Sequence, residues 1–334
     1  MLRTYSRIFP ALVLALALLV AVMAGCESGS SSAEDTAAPT LPPGMSADRI
    51  VEESEARMAT VTSASFTADV GLRIQGDPES MTDPTAKALL SQGVSLHAEG
   101  ETASEPTAVD MTMTLGIAGN NLEFGMMSKG PKSWIEYQGA WYALDGENAR
   151  SLDKQAGSGA APTEQLKSMG VDPSTWGTEY EFAGTEQLNG VEVYHVTAVA
   201  DAQKLADSLT KAAEDPSLQD KLGETGGQLG QLSQGLTQSK EQVEELSKSL
   251  KEASVDYWIG VDDQLMYKAQ FDVAMDMTAQ EGMAGIEGVS LTGAVAMSGF
   301  DEPVEVTPPK DAQSFDALMS QLFGGMLGGS GMFF

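Results

Sequence analysis

Cysteine is all but missing from this 334-residue chain, which carries Cys26 and no other. An intramolecular disulfide framework is therefore excluded. Histidine is nearly as scarce. His97 and His195 both fall within predicted strands, with no second histidine or cysteine at ligand spacing, so each reads as a strand residue rather than a metal ligand or a base. Positive charge is the third shortage: 19 Lys and Arg stand against 48 Asp and Glu, for a formal net charge of −29. Phosphate binding rests on Lys and Arg, which argues against nucleic acid as a partner, and an anionic leaflet would repel this chain except through a covalent anchor. The acidic balance suits solubility, or a patch for a cationic partner. Catalytic signatures are absent as well: there is no G-x-S-x-G elbow, phosphate loop, dinucleotide fingerprint or H-E-x-x-H. Gly223 to Gly230 is glycine-rich, but it follows no strand and lacks a phosphate-binding lysine. A carboxylate pair for glycoside hydrolysis would need two acids facing each other in a cleft, and nothing in the sequence pairs them. The expectation is a protein that is not an enzyme and uses no metal or cofactor.

The longest apolar run is short too. Ala11 to Met23 follows Arg3 and Arg7 and ends Met23-Ala24-Gly25-Cys26. A positive n-region, an h-region too short to span a bilayer comfortably and small residues before a cysteine form the layout of a bacterial lipoprotein signal. An N-terminal membrane helix is the alternative. On the first reading residues 1–25 are removed, Cys26 is lipidated, and two or more acyl chains hold the protein on the extracytoplasmic face of the cell membrane. Acylation also leaves no thiol for nucleophilic or zinc-thiolate chemistry.

Residues 26–44 are rich in Ser, Ala, Thr and Pro and read as a disordered tether. A single folded domain is expected over 45–312. Its first helix is placed at 46–61, with Ile50, Val51, Ala56 and Met58 at helical spacing and acidic residues near its start. Period-two alternation follows, the mark of half-buried antiparallel strands. Phe66, Ala68, Val70, Leu72 and Ile74 share one side of the first strand. Val94, Leu96 and Ala98 repeat the pattern, as do Val109, Met111, Met113, Leu115 and Ile117, and Asn120-Asn121 is read as a turn into Leu122, Phe124 and Met126. Hairpins are expected at 134–144 and 179–199, the second through Asn189-Gly190, with a short helix at 163–169 between them. Leucines at three-four spacing through 229–250 mark 201–254 as a helical insertion that either packs on the sheet or, over about three heptads, forms a coiled coil; glycines weaken its first half. Strands resume through 255–261, 265–278 and 289–300, with Phe271, Val273, Met275 and Met277 on one face and Met297 on the last strand. Residues 313–334 read as an amphipathic helix, from Phe315 to Phe323, and a flexible Gly/Met tail.

The candidate site is that shared apolar face, lined by Phe66, Val70, Leu72, Met111, Met113, Leu115, Phe124, Met126, Phe271, Val273, Met275, Met277 and Met297. Methionine is flexible and polarizable, and surfaces that accept variable ligands use it heavily. A sheet curled around such a face is either filled by its own side chains or holds an apolar guest. Trp134, Tyr137, Trp141 and Tyr142 are candidate rim residues for head-group selection.

Several local stretches carry a resemblance. Trp141-Tyr142-Ala143-Leu144-Asp145 follows a hairpin, Gly190-Val191-Glu192-Val193-Tyr194-His195-Val196 leads to Thr197 and Val199, and Tyr257-Trp258-Ile259-Gly260 precedes Asp262-Asp263. Phe300-Asp301-Glu302-Pro303-Val304 then runs on to Pro308-Pro309-Lys310-Asp311-Ala312. With the lipobox, tether and element order, the chain resembles the LppX and LprG-type lipoproteins of actinobacterial envelopes, which have a LolA-like fold. The resemblance implies an α+β fold: a strongly curved antiparallel sheet, or half-open β-barrel, with helices over its open side and a cavity for the acyl chains of lipids or lipoglycans. It transfers no catalytic residue. The expected role is to carry or present such lipids in the envelope. The alternative is a sensor or scaffold of the same fold with a filled core, binding an envelope protein through its helical insertion.

Overall fold

The computed structural model describes residues 41, 44–81, 83–104, 106–144, 173–205, 207–208, 248–278 and 285–320. The expected lipoprotein signal with Cys26, nearly all of the expected tether, the helix expected at 163–169, most of the expected 201–254 insertion and the residues after 320 lie outside them. Among the described residues, no helix is long and apolar enough to cross a membrane.

Helix α1 spans Ala47–Met58, with Asp48 in its first turn, Arg57 in its last and an Arg49–Glu53 ion pair of 2.7 Å one turn apart. It stops short of residue 61 because Thr60-Val61-Thr62 leads straight into β1, Ser63–Gly76, and β-branched residues suit an extended chain. A 3-10 turn at Pro78–Ser80 and helix α2, Pro84–Gln92, come next; the sequence reading did not foresee either. Then follow β2 (Val94–Ser104), β3 (Thr107–Ile117), β4 (Asn120–Lys129), β5 (Lys132–Tyr137) and β6 (Ala140–Leu144). After a 3-10 turn at Pro173–Trp176 come β7 (Glu179–Leu188), β8 (Val191–Val199), β9 (Leu250–Gly260), β10 (Met266–Asp276), β11 (Ile286–Ser298) and β12 (Gln313–Ser314).

All twelve strands join one sheet in the order β12-β6-β5-β4-β3-β2-β1-β11-β10-β9-β8-β7. Every pairing is antiparallel except β12 with β6. The sheet is two meanders, β1–β6 and β7–β11, seamed where β11 pairs along β1 from Ser65↔Ser298 to Ile74↔Val289. One end of the seam is clasped by Asp301, which accepts from the Thr62 N–H at 2.8 Å and from its hydroxyl at 2.9 Å, while Ser63 Oγ donates to the Glu302 carbonyl at 2.6 Å. Edge strand β7 exposes Glu179, Glu181 and Glu186 and is bulged between Phe182 and Gly184, devices that discourage another strand from adding there.

Besides shifts of a few residues at the ends of β10 and β11, four boundaries differ from the sequence reading. The β3–β4 turn is Ala118-Gly119, both with positive φ (49° and 83°), and Asn120 and Asn121 already belong to β4, paired with Ile117 and Gly116. Two-residue loops with positive φ match the twist of flanking strands, and glycine meets the demand more directly than asparagine. Residues 250–254 are strand, not helix: Leu250 opens β9 opposite Met275, and Ala253 faces Val273. The leucine spacing had tied Leu250 to Leu246, but partners on β10 decide its conformation. The first helix is shorter than 46–61, and the sheet runs past residue 312, since β12 pairs with Tyr142 and Ala143.

The main core lies on one side of the second meander. Ile50 and Val51 of α1 join Trp176, Leu205 and the inward residues of β8–β11 in one buried cluster that reaches Leu72 and Ile74 of β1. A smaller cluster sits on the reverse side of the first meander, where Val306 of the proline-rich exit packs with Ala108, Met127 and Trp134. Lys129 pins that exit by donating to the Val306 carbonyl at 2.8 Å.

Candidate functional site

Strand register brings the predicted lining residues to one side of one sheet. Phe124 pairs with Met113 and Met126 with Met111; Met113 pairs with Ala98 and Leu115 with Leu96; Ala98 and Leu96 pair with Ala68 and Val70 of β1. Across the seam Phe66 meets Met297, Val70 meets Gly293 and Leu72 meets Leu291, and these continue to Phe271, Val273 and Met275 of β10. Met277 follows one residue after β10 ends. Antiparallel partners present side chains to the same side, so one apolar surface runs from β6 to β7.

Burial divides that surface. In the second meander Phe271, Val273, Met275 and Met277 are sealed, Val273 with none of its surface accessible. Phe271 fits because its ring lies over Gly293, where an added Cβ would collide with it. In the first meander Met111, Met113, Leu115, Phe124 and Met126 are all only half-buried, and so are Phe66, Val70 and Met297 at the seam. Leu72 is buried. The half-buried region is graded along the strands. At one end Val109, Ser128, Ser133 and Leu144 form a cross-strand row of buried residues. At the other end Leu122 and Ile117 are exposed. Between them lie Met111, Met126 and Ile135, then Met113, Phe124 and Tyr137, with the Phe124 and Tyr137 rings stacked at 5.6 Å. From Val109 to Leu115 the strand advances about 20 Å, slightly more than the ~15 Å that one leaflet's acyl chains occupy in a bilayer.

The proposed aromatic rim does not assemble on this face. Tyr137 and Tyr142 belong to it, but Trp134 and Trp141 project from the reverse side into the Val304–Val306 cluster. Strand alternation forces this, because neighbours such as Trp141 and Tyr142 must leave opposite faces.

The reverse face carries the charge. His97 Nδ1 lies 2.8 Å from Asp69 Oδ1, a hydrogen bond that raises the histidine pKa above its ordinary value. His195 Nε2 lies 2.9 Å from Asp256 Oδ1, and its ring stacks on Trp258 at 4.6 Å. Trp258 donates to Glu186, and Lys268 Nζ stands 4.1 Å from its ring centroid. Asp110, directly opposite Glu101, and Asp272, near Glu252, have raised pKa values, each first through burial and then through the neighbouring carboxylate. Among the described residues no group of three or more His, Cys, Asp or Glu is placed to hold a metal ion.

The sequence reading placed Val109 on the alternating face and Leu144 in a strand, but it did not foresee that they form a buried row with Ser128 and Ser133. The alternation itself could have marked it, since Ser128 and Ser133 fall in phase with Met126 and Ile135.

No protein-family model matches the chain, and no curated protein does. Among solved structures it is similar to the lipoprotein LppX of Mycobacterium tuberculosis, with 13% identity over 77% of this chain and 96% of that one and a TM-score of 0.35. It is also similar to LprF from Mycobacterium bovis, at 10% identity over 79% and 96% with a TM-score of 0.37. A DUF1329 family protein from Desulfovibrio piger matches at 9% identity over 77% and 92%, with a TM-score of 0.21. All three scores lie below 0.5, so the likeness by itself decides neither ligand nor role.

Proposed function

We propose that this chain is a non-enzymatic envelope lipoprotein, anchored through Cys26, that holds the acyl chains of a lipid or lipoglycan on the half-buried part of its apolar face and carries or presents them. On this reading the sheet curves into a half-barrel around the guest. The observation that carries it is the contrast within one continuous surface: the inward side chains of β8–β10, with Val289 and Leu291 of β11, are buried in one cluster with Ile50, Val51, Trp176 and Leu205, while Met111, Met113, Phe124 and Met126 keep part of their surface accessible. Each methylene buried there contributes about 0.8 kcal/mol, so ten supply roughly 8 kcal/mol before ordering costs. Methionine thioethers adapt to chains of differing length and branching.

Mass spectrometry of organic extracts from the purified protein tests the proposal. Acyl-bearing lipid should co-purify with the native chain and be lost from Met113→Glu, a substitution on the half-buried face. A chain that retains no lipid yet captures one specific envelope protein would overturn it in favour of the scaffold role.

A further inference from the structure

The sealed end of the half-buried face contains a polar atom that its surroundings do not explain. Ser128 is only 8% exposed, and among the described residues its Oγ has no hydrogen-bond partner. Alternation along β4 sends it to the same side as Met126 and Phe124, in a row with Val109, Ser133 and Leu144. A buried hydroxyl without a partner is unfavourable, and each such group in a folded protein calls for a reason.

Charge narrows what that partner can be. Lys87 and Lys129 are consecutive basic residues, with no Lys or Arg between them. The acids of β2–β4, Glu99, Glu101, Asp110 and Glu123, all alternate to the reverse face. Val109, Met111, Met113, Leu115, Phe124 and Met126 therefore share their side of the sheet with no charged side chain of β2–β4. A phosphate or carboxylate brought to Ser128 would find no counter-ion among the side chains of β2–β4, and one serine hydroxyl does not offset the cost of burying it.

Resting on the lipid-binding reading, we infer that the guest presents an uncharged oxygen function, an ester carbonyl or a hydroxyl, to Ser128 Oγ at the sealed end of the face, and that Ser128 is a specificity-determining residue. The acyl chain then runs past Met126 and Phe124 toward Leu122.

Three probes with the same pyrene-labelled chain test this by fluorescence titration: an alkane, a monoacylglycerol and a fatty acid. The protein is the full-length chain made by cell-free synthesis without membranes, so that Cys26 is not acylated. The expected result is that the monoacylglycerol binds more tightly than the other two, that Ser128→Ala weakens it about fivefold, the equivalent of one ordinary hydrogen bond, and that the alkane is unaffected. Ser128→Thr, which keeps the hydroxyl, should restore the preference. Equal affinity for the alkane and the monoacylglycerol, tighter binding of the fatty acid, or an equal effect of Ser128→Ala on all three, overturns the role of Ser128 while leaving the lipid reading intact. Failure of the unmodified chain to bind any of the three overturns the lipid reading itself.

Discussion

The two meanders present the same pattern to the same side of the sheet and put it to different uses. In β10 the alternating Phe271, Val273 and Met275 are sealed; in β3 and β4 the alternating Met111, Met113, Phe124 and Met126 remain half-open. What differs is the cover. Among the described residues, Ile50 and Val51 of α1, together with Trp176 and Leu205, belong to the cluster that includes β8–β11, and no residue of β3–β6 is part of it. Periodicity thus decides which side of a strand is apolar, and tertiary cover decides whether that side becomes core or stays partly open. β1 shows both outcomes along its length: Leu72 and Ile74 are buried, whereas Phe66, Ala68 and Val70 are half-buried.

The largest expected effect comes from placing a charge in each half. Val273→Asp puts a carboxylate at a site with no accessible surface inside the apolar cluster; the cost exceeds about 4 kcal/mol, enough to abolish folding of a marginally stable domain. Met113→Asp at the half-buried site should leave a folded protein, destabilised by no more than about 2 kcal/mol, that no longer retains lipid. Urea denaturation followed by lipid extraction separates the two. If both variants unfold alike, the contrast between the halves disappears.

Truncating one phenylalanine in each half gives a smaller difference. Phe271→Ala removes a buried ring that fills the space above Gly293 and should cost about 3–5 kcal/mol. Phe124→Ala removes a half-buried ring stacked on Tyr137, which should cost roughly 1–2 kcal/mol in the ligand-free protein and more once lipid is bound. Denaturant midpoints with and without added lipid measure this. Equal losses for the two rings would mean that the first meander is as tightly filled as the second.

Much of the sheet was legible because alternation is local. The strand at 191–199 was read with the bounds it has in the structure, and its Asn189-Gly190 turn adopts positive φ at both positions (52° and 86°). The shared face was legible for the same reason. Sheet order was not, because the pairing of β11 with β1 joins residues more than 200 positions apart and leaves no local mark. Helix α2 was missed because Ala86, Leu89 and Leu90 are too few for a clear helical period between turn residues. The split between sealed and half-open regions lay beyond the sequence altogether: Met275 and Met126 both occupy the apolar phase of an alternating strand, and packing from distant segments separates them. Trp134 and Trp141 failed as rim residues because they were read as a hairpin group, without following which side each leaves.

The reverse face supplies the last and smallest comparison, because there the two meanders behave alike. Asp110 in the first and Asp272 in the second both have carboxyl pKa values raised above the ordinary 3.8, chiefly by burial and then by Glu101 and Glu252 respectively. A carboxyl whose pKa is higher folded than unfolded favours the folded state while protonated. That favour is complete below the unfolded value and fades as pH rises through the folded one, leaving a net penalty at neutral pH. Asp110→Asn and Asp272→Asn remove the charge that burial opposes, so each should raise the melting temperature modestly at pH 7 and by progressively less as pH falls toward 3.8. Thermal melts at pH 7, 5 and 3.5 measure the trend. An advantage that persists unchanged at pH 3.5 would show that shape or hydrogen bonding, not ionisation, is responsible, and an advantage in one meander alone would extend the difference between the halves to this face too.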